Sequence, residues 1–114
     1  MRPPSSDELA TIEQLVALSD QEALIAQFTN SKSTLCVENM DDGRMGSLRL
    51  YPIGIREGSR SFGCLIVEAN YSDDDNVPVS VALNVDQDGL LFELDVFKAD
   101  FSPIHRLPNR NELR

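Results

Sequence analysis

The spacing of apolar residues changes once along this chain, from a helical period to an alternating one. Leu9, Ile12, Leu15 and Val16 recur at three- and four-residue steps, which places them on one face of a helix over residues 6–18. Pro3 and Pro4 prevent an earlier start, and Ser5 with Glu8 has the form of a capping box. Ser19 and Glu22 repeat that form and open a shorter helix, with Leu24, Ile25 and Phe28 facing inward and Asn30 and Ser31 ending it. Two such boxes in tandem predict a helical hairpin.

From Thr34 onward the period is two. Thr34 to Met40 reads as a strand, Asp41-Asp42-Gly43 as a turn, and Gly46 to Tyr51 as a second strand alternating Leu48 and Leu50 with Ser47 and Arg49. Pro52 to Arg60, with Gly54 and Gly58, reads as a connection. Phe62 to Tyr71 is apolar on both faces, which predicts a central strand. Val79, Val81, Leu83 and Val85 face one way. After Asp86-Gln87-Asp88-Gly89, with Asp88-Gly89 suited to a type I′ turn, Leu90, Phe92, Leu94 and Val96 continue that apolar face. The expected architecture is α+β: an N-terminal helical hairpin packed on an antiparallel meander sheet of about five strands. Residues 1–114 read as a single domain, with 1–5 an N-terminal extension and 104–114 an irregular tail.

Within Leu90 to Lys98, Glu93 and Asp95 share a face with Phe97, and Lys98 points the other way. A buried carboxylate is costly unless bonded or paired, so these acids imply a site, a partner surface, solvent, or bonds to neighbours such as Ser80 and Asn84. Their backbone separation of roughly 6.5–7 Å falls in the range of two carboxylates that flank a water in inverting glycosidases, a geometry that any acid-x-acid strand has. The parity of Lys98 argues against a nuclease-like acid and lysine pair. Asp73-Asp74-Asp75 and Asp86-Gln87-Asp88-Gly89 contain oxygen ligands but not the calcium-loop pattern, and turn chemistry accounts for both. His105 is the single histidine, placed in the tail and expected to be exposed, and no nucleophile accompanies it. Asp42-Gly43-Arg44-Met45-Gly46-Ser47 lacks the lysine of a phosphate loop. No catalytic signature, metal pattern or cofactor motif stands out.

Composition adds compartment and charge. Hydrophobic residues are 41% of the chain and charged ones 25%, as in ordered domains. Cys36 and Cys64 fall on expected strands and read as buried free thiols. Acids among the first eighteen residues exclude a secretory signal, and no apolar run reaches membrane-spanning length. These features predict a cytoplasmic protein. The net charge is -9, concentrated in residues 61–102, where nine acids face Lys98 alone. Such a field repels nucleic acid and favours a basic protein partner. The sequence leaves open whether the arginines of the tail dock on that acidic segment; Arg106 and Arg110 with Asp95 is one ion-pair set it allows.

Three fragments, Asp42 to Ser47, Phe62-Gly63, and Glu93 to Pro103, together with the Arg2-Pro3 start and the leading helix, resemble a family of small bacterial proteins classed as a domain of unknown function. In that pattern Arg44 stands at a usual glycine and Phe97 at a usual tryptophan. The resemblance implies a small bacterial, cytoplasmic domain and supplies no activity. The leading expectation is therefore a small acidic binding or interaction protein without catalytic activity. An immunity-type inhibitor covering a basic toxin surface is one concrete form. The binding residues expected are Glu93, Asp95, Lys98, Asp100, Ser80 and Asn84. The alternatives are a metal-dependent hydrolase or lyase using Glu93 and Asp95, and a structural homo-oligomer subunit.

Overall fold

A computed structural model describes residues 1–52 and 59–114, so the Gly54 and Gly58 portion of the expected connection lies outside the described residues. Helix α1 spans Ser6–Ser19 and α2 spans Glu22–Ser31. The first capping box forms: the Ser5 hydroxyl accepts from the Glu8 amide at 3.1 Å, and Glu8 Oε1 accepts from the Ser5 amide at 2.8 Å. The second does not. Ser19 belongs to α1 and bonds back to the Val16 carbonyl, Asp20 turns left-handed at φ 54°, and Gln21 begins α2 without a side-chain cap. A left-handed residue reverses the chain in one step, leaving Ser19 on the wrong side of the break. Ile12, Leu15, Val16, Leu24 and Phe28 are buried, but Ile25 is 38% exposed, so α2 presents a narrower inward stripe than expected.

Five strands follow: β1 (Cys36–Asn39), β2 (Leu48–Tyr51), β3 (Phe62–Ser72), β4 (Pro78–Asp86) and β5 (Leu91–Lys98). All neighbours are antiparallel, and the α+β class holds. The order is β1-β2-β5-β4-β3, so the sheet is a β1β2 hairpin joined to a β3β4β5 meander through β5, not one sequential meander. Strand β3 is therefore an edge, not the centre. Its apolar Leu65 is 49% exposed, and two bulges interrupt its pairing with β4. Cys64 is exposed and Cys36 half-buried, which corrects their reading as buried thiols.

The β4–β5 turn also differs from expectation. The Gly89 amide donates to the Asp86 carbonyl at 3.0 Å and the Asp86 amide to the Leu90 carbonyl at 2.8 Å. Only Gly89 has a positive φ, of 81°, so a turn closed by one left-handed glycine replaces type I′. The register then shifts between Asn84 and Val85, which pair with Glu93 and Leu91. That bulge swaps two side chains. Leu91 takes the core position, and Phe92 moves to the opposite face beneath the guanidinium groups of Arg49 (4.3 Å) and Arg60 (5.1 Å). Side chains satisfy the freed backbone of Leu91: its amide donates to Gln27 Oε1 at 2.8 Å, and its carbonyl accepts from Arg60.

The seam between the two parts is short. β2 and β5 share only the Leu48–Leu94 and Arg49–Glu93 pairs. At one end the Ser47 hydroxyl takes the place of a backbone partner, accepting from the Val96 amide at 2.9 Å and donating to the Val96 carbonyl at 3.2 Å. The loop before β2 aims that hydroxyl: Asp42 Oδ2 accepts from the Ser47 amide at 2.8 Å. Gly46 has φ 106°, a conformation that favours glycine, and a Cβ there would lie 3.0 Å from the Ile104 side chain. At the other end Arg60 donates to the Leu50 and Leu91 carbonyls and pairs with Asp86 at 3.0 Å. The helices cover one face of the sheet, with α1 packed on β3 and β4. The opposite face is the solvent side.

Candidate functional site

Because alternate residues of each strand share a face, the register lays out the solvent face in rungs. One rung crosses all five strands: Leu65, Asn84, Glu93, Arg49 and Glu38. The next holds Glu68, Ala82 and Asp95, and the one after it Asn70, Ser80 and Phe97. Of the expected binding residues, Glu93, Asp95, Ser80 and Asn84 therefore come together on this face. Lys98 and Asp100 do not join them.

Asn84 ties the two acids to the sheet. It is 3% exposed, and its Nδ2 donates to Asp95 Oδ2 at 3.2 Å and Glu93 Oε1 at 3.5 Å. Glu93 also pairs with Arg49 at 3.3 Å. Asn84 Oδ1 and Arg49 Nε are buried without a hydrogen-bond partner among the described residues. Glu93 is thus committed to neighbours. Asp95 is exposed with only the amide of Asn84 on it, and Glu68 is exposed without an ion pair among the described residues. Between them Ala82 forms the floor of a shallow cavity of about 340 Å³, with Leu65 and Phe97 at its sides. Phe97 is 44% exposed, and the ring of Phe101, 70% exposed, stands edge-on to it at 5.2 Å.

Lys98 lies on the other face and has a different task. Its side chain is fully buried, with Nζ 2.9 Å from Asp73 and 2.7 Å from Asp75. Burial works against the ammonium charge, but hydrogen bonds from Lys98 to Asp75 and Asp73 outweigh it and raise the lysine above its ordinary value. Burial also pushes the Asp73 carboxyl up. Bonds from the His105 amide, Lys98 and the Asp74 amide overcome that push and hold it at about 2. Asp100 sits in the bend after β5 and accepts from the Ser102 amide and hydroxyl, at 3.0 and 2.6 Å.

The tail is irregular and closely held, and Arg106 docks on Asp74 and Glu112 and not on Asp95. Arg106 bonds Asp74 at 2.8 Å and Glu112 at 2.7 Å, lies over the Tyr71 ring, and its carbonyl accepts from the Tyr71 hydroxyl at 2.7 Å. Asn70 and Arg114 exchange backbone bonds of 3.0 Å along the β3 edge. Asp73, Asp74 and half-exposed His105 bring possible metal-ligating atoms within 4.8 Å of one another. Their oxygens already hold Lys98 and Arg106, so this cluster works as a clamp built from the chain's own cations.

Sequence reasoning missed Glu68, Ala82 and Leu65. Each is unremarkable in its own strand, and only cross-strand register places Glu68 and Asp95 on either side of Ala82. Among the described residues no helix is long and apolar enough to cross a membrane. Comparison with curated proteins and with solved structures gave no match. Residues 1–108 match the family model described as Domain of unknown function (DUF6984), and the chain belongs to that family.

Proposed function

We propose that the chain is a binding protein that engages a basic protein partner through the helix-free face of its sheet, without catalysing a reaction. The observation that carries this reading is the exposed apolar group of Leu65, Phe97 and Phe101 beside Glu68 and Asp95, acids that no cation of the described chain neutralises. Exposed apolar area rimmed by charge is the usual composition of an interaction surface. The surrounding acidic field would raise the encounter rate with a basic partner.

An array of 12-residue basic and acidic peptides tests it. The expected result is selective, salt-sensitive capture of basic peptides that is lost in a Leu65→Ser, Phe97→Ser variant whose melting temperature stays near the parent's. Equal capture of acidic peptides, or capture indifferent to that variant, would refute the reading.

A further inference from the structure

The binding role just given can be narrowed to one side chain, and the inference rests on that role. We infer that the depression over Ala82 seats a single arginine of the protein partner, its guanidinium held between Glu68 and Asp95 and its flat face against Phe97.

The register sets the dimensions. Glu68, Ala82 and Asp95 occupy one rung of three adjacent strands, so the two acids start about 10 Å apart, twice the interstrand spacing. That span admits a planar guanidinium with a charge-assisted bond of about 2.8 Å on each side. Alanine between two longer side chains leaves the floor low, and Leu65 and Phe97 offer apolar surface to the arginine stem. Asn84 holds Asp95 by one oxygen, fixing its direction and leaving the other for a donor.

The chain already uses this set of parts three times. Arg106 lies between Asp74 and Glu112 over the Tyr71 ring. Arg60 pairs with Asp86 over Phe92 and Tyr51. Arg49 pairs with Glu93 over Phe92. The Glu68, Asp95 and Phe97 set repeats the pattern of carboxylate and ring on the exposed face, with no arginine of the described chain in it. Arginine suits it better than lysine, because a planar fork can bond carboxylates on two sides while stacking on a ring. Arginine is also among the residues that dominate binding energy at interfaces.

The test is an amide-resolved NMR titration with a 12-residue peptide carrying one central arginine among apolar residues, beside its citrulline and lysine counterparts. The arginine peptide should shift the amides of Glu68, Ala82, Asp95 and Phe97. Citrulline, isosteric but neutral, should bind at least about tenfold more weakly, the effect of losing a charged hydrogen bond. Ala82→Leu keeps every charge, fills the floor and should weaken binding about tenfold. Ala82→Val serves as a second variant should the leucine lower the melting temperature. Citrulline binding as well as arginine, lysine binding as well or better, or unchanged affinity in both Ala82 variants would overturn the seat. If basic peptides still bind while the Ala82 variants behave as the parent, only the seat falls. If the parent shows no preference for basic peptides, the broader role falls with it.

Discussion

Replacing Ser47 with alanine removes one oxygen atom and, with it, both partners of a buried backbone unit. Among the described residues the Ser47 hydroxyl alone serves the outward amide and carbonyl of Val96, at 2.9 and 3.2 Å. Val96 is 2% exposed and Ser47 5% exposed, so the site is largely shielded from water. A buried polar group left without a partner costs about 1–3 kcal/mol. Two such groups, partly relieved by relaxation, give about 2–4 kcal/mol, a large share of a typical total of about 5–15 kcal/mol. With a urea slope of about 2 kcal/mol/M, the middle of the usual range for small proteins, the midpoint should fall by about 1–2 M. The assay is urea unfolding followed by far-UV circular dichroism, with hydrogen exchange at the Val96 amide as a local readout. Ser47→Thr keeps the hydroxyl and should remain within about 1 kcal/mol of the parent. A Ser47→Ala protein within about 0.5 kcal/mol of the parent, its Val96 amide still protected, would refute the hydroxyl's role as a strand substitute.

The remaining predictions concern the clamp and the sheet edge. Asp73 and Glu112 are both held at about 2, below ordinary values of 3.8 and 4.5. A carboxyl depressed in the folded state stabilises the fold above its ordinary value, and that contribution is lost as pH falls toward 2. The melting temperature should therefore drop between pH 4.5 and 2, and Asp73→Asn with Glu112→Gln should flatten that drop; an unchanged slope would show that other groups govern it. Lys98→Met leaves Asp73 and Asp75 facing each other without their cation, so trypsin should cut after Arg106 and Arg110 faster than in the parent. Equal resistance would remove Lys98 as the anchor of the tail. A Cβ at Gly63 would press on the carbonyl oxygen of Asp86, so Gly63→Ala should cost about 1–3 kcal/mol in urea unfolding, the range for steric overpacking.

Several features were legible because they depend on neighbours within a few residues. Ser5 and Glu8 cap α1 because a capping box closes over three residues. Glu93, Asp95 and Phe97 share a face away from Lys98 because strand side chains alternate. Even the bond from Asn84 to both acids follows from a hairpin whose strands adjoin in the chain. The capping reading failed at Ser19, where one left-handed residue, Asp20, ended α1 a step later than the pattern implied.

The chain order of apolar and polar residues, by itself, determined the helical pair, the five antiparallel strands and which side of β5 carries its acids, since those follow from local periodicity. Only the tertiary structure decided that β3 lies at an edge, that Phe92 leaves the core at a bulge, and that Lys98 meets Asp73 and Asp75. It alone aligned Glu68 with Asp95 across Ala82. These are matters of strand order and register, which long-range pairing sets, and periodicity within a single strand carries no record of which residue will lie opposite.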